Sequence, residues 1–248
     1  MYLVAPRKSS VEALSDLVEV HKRLFIQDVY GTQAQLQTPS DLRNVYLTTI
    51  KQQTGLIVSH KLHNHLGLAL MADRLSINLD NTNGSWVSWH VSNLIGQEGS
   101  HVSEHLYNNT SALETNNFIY YLYCGTLSLL RNAKTADGSW IDLVVGINWF
   151  NTRIVEDTVN SKQSVIDSGG VIPFNQAGAV FLDNIARRRV AIAINNGLIV
   201  DGSETIDLPN PAEATVTQRS SRRFPDVFIN ATFQGEIDTI EYRGTISQ

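Results

Sequence analysis

Trp140-Ile141-Asp142-Leu143-Val144-Val145-Gly146-Ile147-Asn148-Trp149-Phe150 is the stretch on which the fold turns. Taken with a period of two, Ile141, Leu143, Val145, Ile147 and Trp149 point one way, and Trp140, Asp142, Val144, Gly146, Asn148 and Phe150 the other. Both sets are partly apolar. A strand covered on two sides has this pattern, so the run predicts a middle strand of a sandwich.

Downstream, Val190, Ile192 and Ile194 alternate with Ala191 and Ala193, Asn195-Asn196-Gly197 offers a turn, and Leu198-Ile199-Val200 returns before Asp201-Gly202. This reads as a hairpin. Pro209 to Arg223 reads as a loop, followed by closing strands at Asp226 to Phe233 and Glu236 to Arg243 around Gln234-Gly235. Upstream, strands are expected at Leu75 to Leu79, Ser85 to Val91 and Phe118 to Leu130, with Asn83-Gly84 as a hairpin turn. The beginning of the chain differs. Ser9 and Glu12 have capping-box spacing, and Val11, Leu14, Leu17, Val18, Leu24 and Phe25 recur at helical intervals. A second helix is expected from Thr38, with Pro39 in its first turn, Leu42, Val45, Tyr46 and Ile50 on one face, and Gly55 as its stop. The chain thus divides into a helical arm over residues 1–58, suited to docking or oligomerisation, and a mainly β domain over 59–248.

Composition agrees with a β-rich chain. Of 248 residues 42% are hydrophobic and only 17% charged, which favours strands and polar turns over long solvated helices. The formal net charge of -5 gives no electrostatic reason to approach nucleic acid. Arg187, Arg188 and Arg189 read as a guard at the start of a strand. Cys124 is the single cysteine, so no intrachain disulfide is expected. No apolar run has the length of a membrane span, and Met1 to Ser10 lacks the apolar core of an export signal.

The tail Phe228-Ile229-Asn230-Ala231-Thr232-Phe233-Gln234-Gly235-Glu236-Ile237-Asp238 resembles the closing strand of concanavalin A-like and laminin-G-like domains, and the segment Val190 to Gly202 is similar to their paired strands. The resemblance implies a mainly β, antiparallel jelly-roll β-sandwich behind the N-terminal helical arm. Such domains recur on phage virions, and many bind glycans. It implies a non-enzymatic virion structural or surface protein, tail-associated or decorating the capsid. Its partners would be copies of itself and other virion proteins, it would be assembled in the host cytoplasm, and a surface glycan is a candidate ligand. A cellular carbohydrate-binding module is an alternative on the same fold.

Glu236-Ile237-Asp238-Thr239-Ile240-Glu241 also resembles the E-x-D-x-x-E motif of the laminarinase and lichenase β-glucanases. That resemblance implies Glu236 as nucleophile, Glu241 as general acid/base and Asp238 as the group tuning their protonation in a retaining endo-β-glucanase. In those hydrolases the motif lies mid-chain, whereas here it lies near the end, which favours the non-enzymatic reading. Trp86 and Trp89 are the candidate glycan-stacking side chains, since an indole face offers broad apolar contact to a sugar ring. His60, His63 and His65, and His101 with His105, are candidate ligand sets by spacing; lacking a fixed carboxylate or cysteine partner, they give no expected metal site, and no cofactor is expected.

Overall fold

Phe25-Ile26-Gln27-Asp28-Val29-Tyr30 and Thr54-Gly55-Leu56-Ile57-Val58-Ser59 carry apolar residues at both odd and even positions, as parallel strands covered on two faces do. In the computed structural model, which describes residues 7–30, 51–59, 66–74, 77–81, 110–124 and 127–235, they are β1 (Phe25–Tyr30) and β2 (Thr54–Ser59), paired in parallel. β3 (Phe118–Cys124) pairs in parallel with β2, and β4 (Leu127–Arg131) turns back antiparallel on β3, giving the order β1-β2-β3-β4. The chain divides into two compact units, Met1–Asn78 with Gly84–Val145 and Gly235–Gln248, and Leu79–Asn83 with Gly146–Gln234. This sheet belongs to the first.

Alternate residues of the sheet serve two cores. Phe25, Val29, Leu56, Val58, Phe118 and Tyr120 pack with Val11, Leu14 and Val18 of α1 (Lys8–His21) and Leu113 of α3 (Thr110–Thr115). Ile26, Ile57 and Ile119 pack with Leu66, Leu70 and Met71 of α2 (Leu66–Arg74) and with Ile141. A helix layer therefore covers each face. Buried Asp28 accepts a hydrogen bond from the Gly67 amide at 2.7 Å, a carboxylate at the positive end of α2. Ser15 and Thr54 hydroxyls, 2.7 Å apart, tie α1 to β2.

The second unit is built on the greater part of α4 (Ile141–Asp167) and on α5 (Gln176–Asn195). Phe150, Val190, Ala193, Leu198 and Ile199 form its core, backed by Ile206 of β5 (Thr205–Asp207) and Ile229 of β6 (Phe228–Asn230). β5 and β6 make a two-stranded antiparallel ribbon, and α6 (Val216–Ser220) lies in the connection between them.

The chain does not form the jelly-roll sandwich expected. Helices hold far more of the described residues than strands do, and the strands fall into one four-stranded sheet and one two-stranded ribbon. Trp140 to Phe150 is the bridge residue Trp140 followed by the first turns of α4, not a strand. Its apolar residues satisfy both periods, since Ile141, Val144 and Val145 also stand at helical spacing. Val190 to Gly202 is not a hairpin either: residues through Asn195 belong to α5, and Asn195-Asn196-Gly197 ends that helix. The Gly197 amide donates to Ile194 O and the Leu198 amide to Ala193 O, both at 2.9 Å, with Gly197 at φ 74°, the bond pattern of a Schellman cap. A left-handed glycine serves a hairpin turn or a helix end equally well.

Arg187 to Arg189 lie within α5 and guard no strand. α1 begins at Lys8 with Arg7 at its N-cap and no side-chain cap, so Ser9 lies inside the helix and Phe25 opens β1. Gly55 lies in β2 and stops no helix. Phe118 to Leu130 does form strand, folded on itself as β3 and β4. The expected elements at Ser85 to Val91, Asn83-Gly84, Thr38 to Ile50 and Glu236 to Arg243 lie outside the described residues, as do Leu75 and Ser76; the rest of the strand expected at Leu75 to Leu79 is not strand, for Ile77 and Asn78 follow the end of α2 without sheet pairing and Leu79 stands in a turn.

Candidate interaction surface

The inner side of α4 is fixed by packing and charge. A Cβ on Gly146 would overlap the side chain of buried Leu198, so only glycine lets helix and Leu198 approach so closely. Further along, Asp157 accepts from Nε of Arg189 at 2.7 Å, and Arg189 also donates to Asp80 at 3.1 Å. Asp80 in turn pairs with Arg153 at 2.9 Å. The Arg189 side chain is 7% exposed, and its guanidinium carbon lies 5.4 Å from the Trp149 ring centroid. Asn196 adds a bond to Leu79 O at 2.8 Å, so residues 79–80 are bound to both helices of the unit.

With that side held inward, the opposite side of α4 faces solvent. Thr152, Val155, Glu156, Val159, Lys162, Gln163 and Ile166 are all exposed, and at 100° per residue they lie within about 120° of arc. Val155 is 62% exposed, Val159 59% and Ile166 49%. Three aliphatic side chains on one exposed helix face depart from the solvated outer face of an ordinary amphipathic helix. The feature was legible in the three- and four-residue steps of Thr152, Val155, Val159, Lys162 and Ile166, but only after Asn151 to Asp167 is recognised as helix.

α1 repeats the feature on the first unit. Val11, Leu14 and Val18 are buried against the sheet, while Ala13, Asp16, Leu17 and Val20 are exposed, Leu17 by 47% and Val20 by 76%. Asp16 pairs with Lys51 at 2.8 Å, which raises the lysine's proton affinity chiefly through that hydrogen bond.

Glu236, Asp238, Glu241, Trp86 and Trp89 lie outside the described residues, as do His60, His63, His65, His101 and His105. Of the other tryptophans, Trp140 packs partly buried against the α2-side core under Lys134, 4.6 Å from its ring centroid, and Trp149 packs against the core of the second unit. The described polar groups hold structure: the Tyr120 hydroxyl donates to Glu114 at 2.6 Å, and the Asn132 side-chain amide to Phe118 O at 3.0 Å. Among the described residues no group of three or more His, Cys, Asp or Glu side chains is placed to hold a metal ion, and no helix is long and apolar enough to cross a membrane. No family model and no curated protein matches the chain.

Proposed function

We propose that this chain is a non-enzymatic structural protein of a phage virion, tail-associated or decorating the capsid, which works by associating with copies of itself and with other virion proteins. The observation that carries the assembly part is the exposed aliphatic face of α4, Val155, Val159 and Ile166, on a helix whose other side is anchored by Phe150 and Asp157. Apolar area left in water on a rigid element gains stability only when another surface covers it, at roughly 25 cal/mol per Å². The exposed Leu17 and Val20 of α1 add a second such face, in keeping with a docking role for the N-terminal segment. The virion part comes from the resemblance of Phe228 to Asp238 to a sandwich domain that the chain does not form, so particle composition and gene order are what test it. Glycan contact and β-glucan hydrolysis need the same sandwich and are not proposed.

Two measurements test the reading. Mass spectrometry of phage particles purified from the host should detect this chain at stoichiometric levels, and the genes beside its own should encode capsid or tail proteins. A chain absent from such particles, with neighbouring genes of metabolism, would refute the proposal.

A further inference from the structure

We infer that residues 79–81 form an electrostatic latch on the second unit, a strap that lets go of α4 and α5 while their core stays folded. The segment Leu79–Asn83 belongs to that unit although it stands far ahead of the unit's main body, Gly146–Gln234, in the chain. Polar contacts hold it there. Asp80 accepts from Arg189 at 3.1 Å and pairs with Arg153 at 2.9 Å, and Leu79 O accepts from the Asn196 side-chain amide at 2.8 Å. Leu79 is only half-buried and takes no part in the core of Phe150, Val190, Ala193, Leu198 and Ile199, so the strap leaves without uncovering that core.

Leaving a buried charge without a partner is costly, and that cost normally keeps an ion network shut. Here each arginine that holds Asp80 has a second carboxylate. Arg189, whose side chain is 7% exposed, keeps Asp157 at 2.7 Å, and Arg153 keeps Glu156 at 2.7 Å. Asp80 itself is 35% exposed and returns readily to water. When the strap leaves, therefore, no guanidinium is stranded, and what is lost is the attraction of half-exposed pairs, which is small and screened by salt. The Asp157–Arg189 pair, which joins α4 to α5, stays in place in both forms. A latched and an unlatched form thus differ in the course of residues 79–81 and share one core, as befits a segment from the low-stability end of a fold.

The test uses the full chain under native conditions with thermolysin, which cuts on the amino side of leucine and so reports the Asn78–Leu79 bond. Cleavage of that bond, followed by mass spectrometry and corrected with a free peptide of residues 75–83 cut at the same salt, tracks the open population. In the wild type the corrected rate should rise about fivefold between about 0.05 and about 0.5 M sodium chloride. Asp80→Asn, which keeps the volume and removes the charge, should be cut about fivefold faster than wild type at the lower salt and should lose most of the salt dependence. Throughout, amides of residues 150–160 and 185–195 should keep their protection from hydrogen exchange, because the core does not open with the strap. Equal rates for wild type and Asp80→Asn would overturn the latch, since Asp80 would then not hold the segment. So would core amides that lose protection in step with cleavage, for the strap would then open only with the core.

Discussion

Gly178 sits in the first turn of α5, where a Cβ would collide with the carbonyl oxygen of Pro173. Exchange of a helical glycine for alanine normally gains about 1 kcal/mol of helix propensity. Here the obstacle is backbone, so Gly178→Ala is expected to destabilise by about 1–3 kcal/mol in urea unfolding, against the sign of propensity. Arg189 is a second position where environment decides. Its buried guanidinium joins Asp157 and Asp80, and Arg189→Met should cost about 3 kcal/mol, the low end for a broken buried pair because Arg188 and Arg153 still reach those carboxylates. Arg187→Met leaves the mostly buried Asp183 carboxylate without its exposed arginine partner and should cost about 0.5–1 kcal/mol, well below Arg189→Met. Tyr120 bears on pH. Burial, and then its hydrogen bond to Glu114, hold its phenol well above the usual value near 10. The unfolded chain therefore loses that proton first, and the contribution of Tyr120 to stability, complete below pH 10, declines as pH rises through the alkaline range. Tyr120→Phe should flatten the loss of stability above pH 10, as followed by urea midpoints.

At the scale of the element, helix ends hold both the clearest signals and the misleading ones. α1 closes on Lys22 at φ 50°, with the Arg23 amide bonded to Val18 O at 3.0 Å, so a lysine occupies the left-handed position that glycine takes in α5. Lys22→Gly should raise stability by about 0.5–1 kcal/mol, seen as a higher melting temperature. α1 itself was legible, because Val11, Leu14 and Val18 admit only the helical period. β3 and β4 were legible as strands for the converse reason, a run of aromatic and branched residues. The start of α4 was not legible, because Ile141 to Phe150 fit two periods. The deciding signal lay outside that window: no Gly or Pro stands between Gly146 and Gly169, a span too long for a strand. α5 had a start signal in Asn175, whose side chain accepts from the Ala177 and Gly178 amides at 2.9 and 3.3 Å. Once α4 and α5 are taken as strands, the exposed faces that carry the functional reading cannot be found, since Val155, Val159 and Ile166 share a face only at a period of 3.6.

For the whole molecule, the consequence of two units is that each is held by buried side chains of its own. Phe25 lies wholly buried between α1 and the sheet of the first unit, and Phe150 lies 8% exposed among Val190, Leu198 and Ile199 of the second. Truncating either ring leaves a cavity and should cost about 3–5 kcal/mol in its own unit. If each core sustains its own cooperative opening, hydrogen exchange should report the two losses separately. In Phe25→Ala, amides of β1 and β2 are expected to exchange at least about a hundredfold faster, with those of residues 180–195 unchanged; in Phe150→Ala the pattern should reverse. Equal acceleration of both sets by either variant would show that the chain opens as one body.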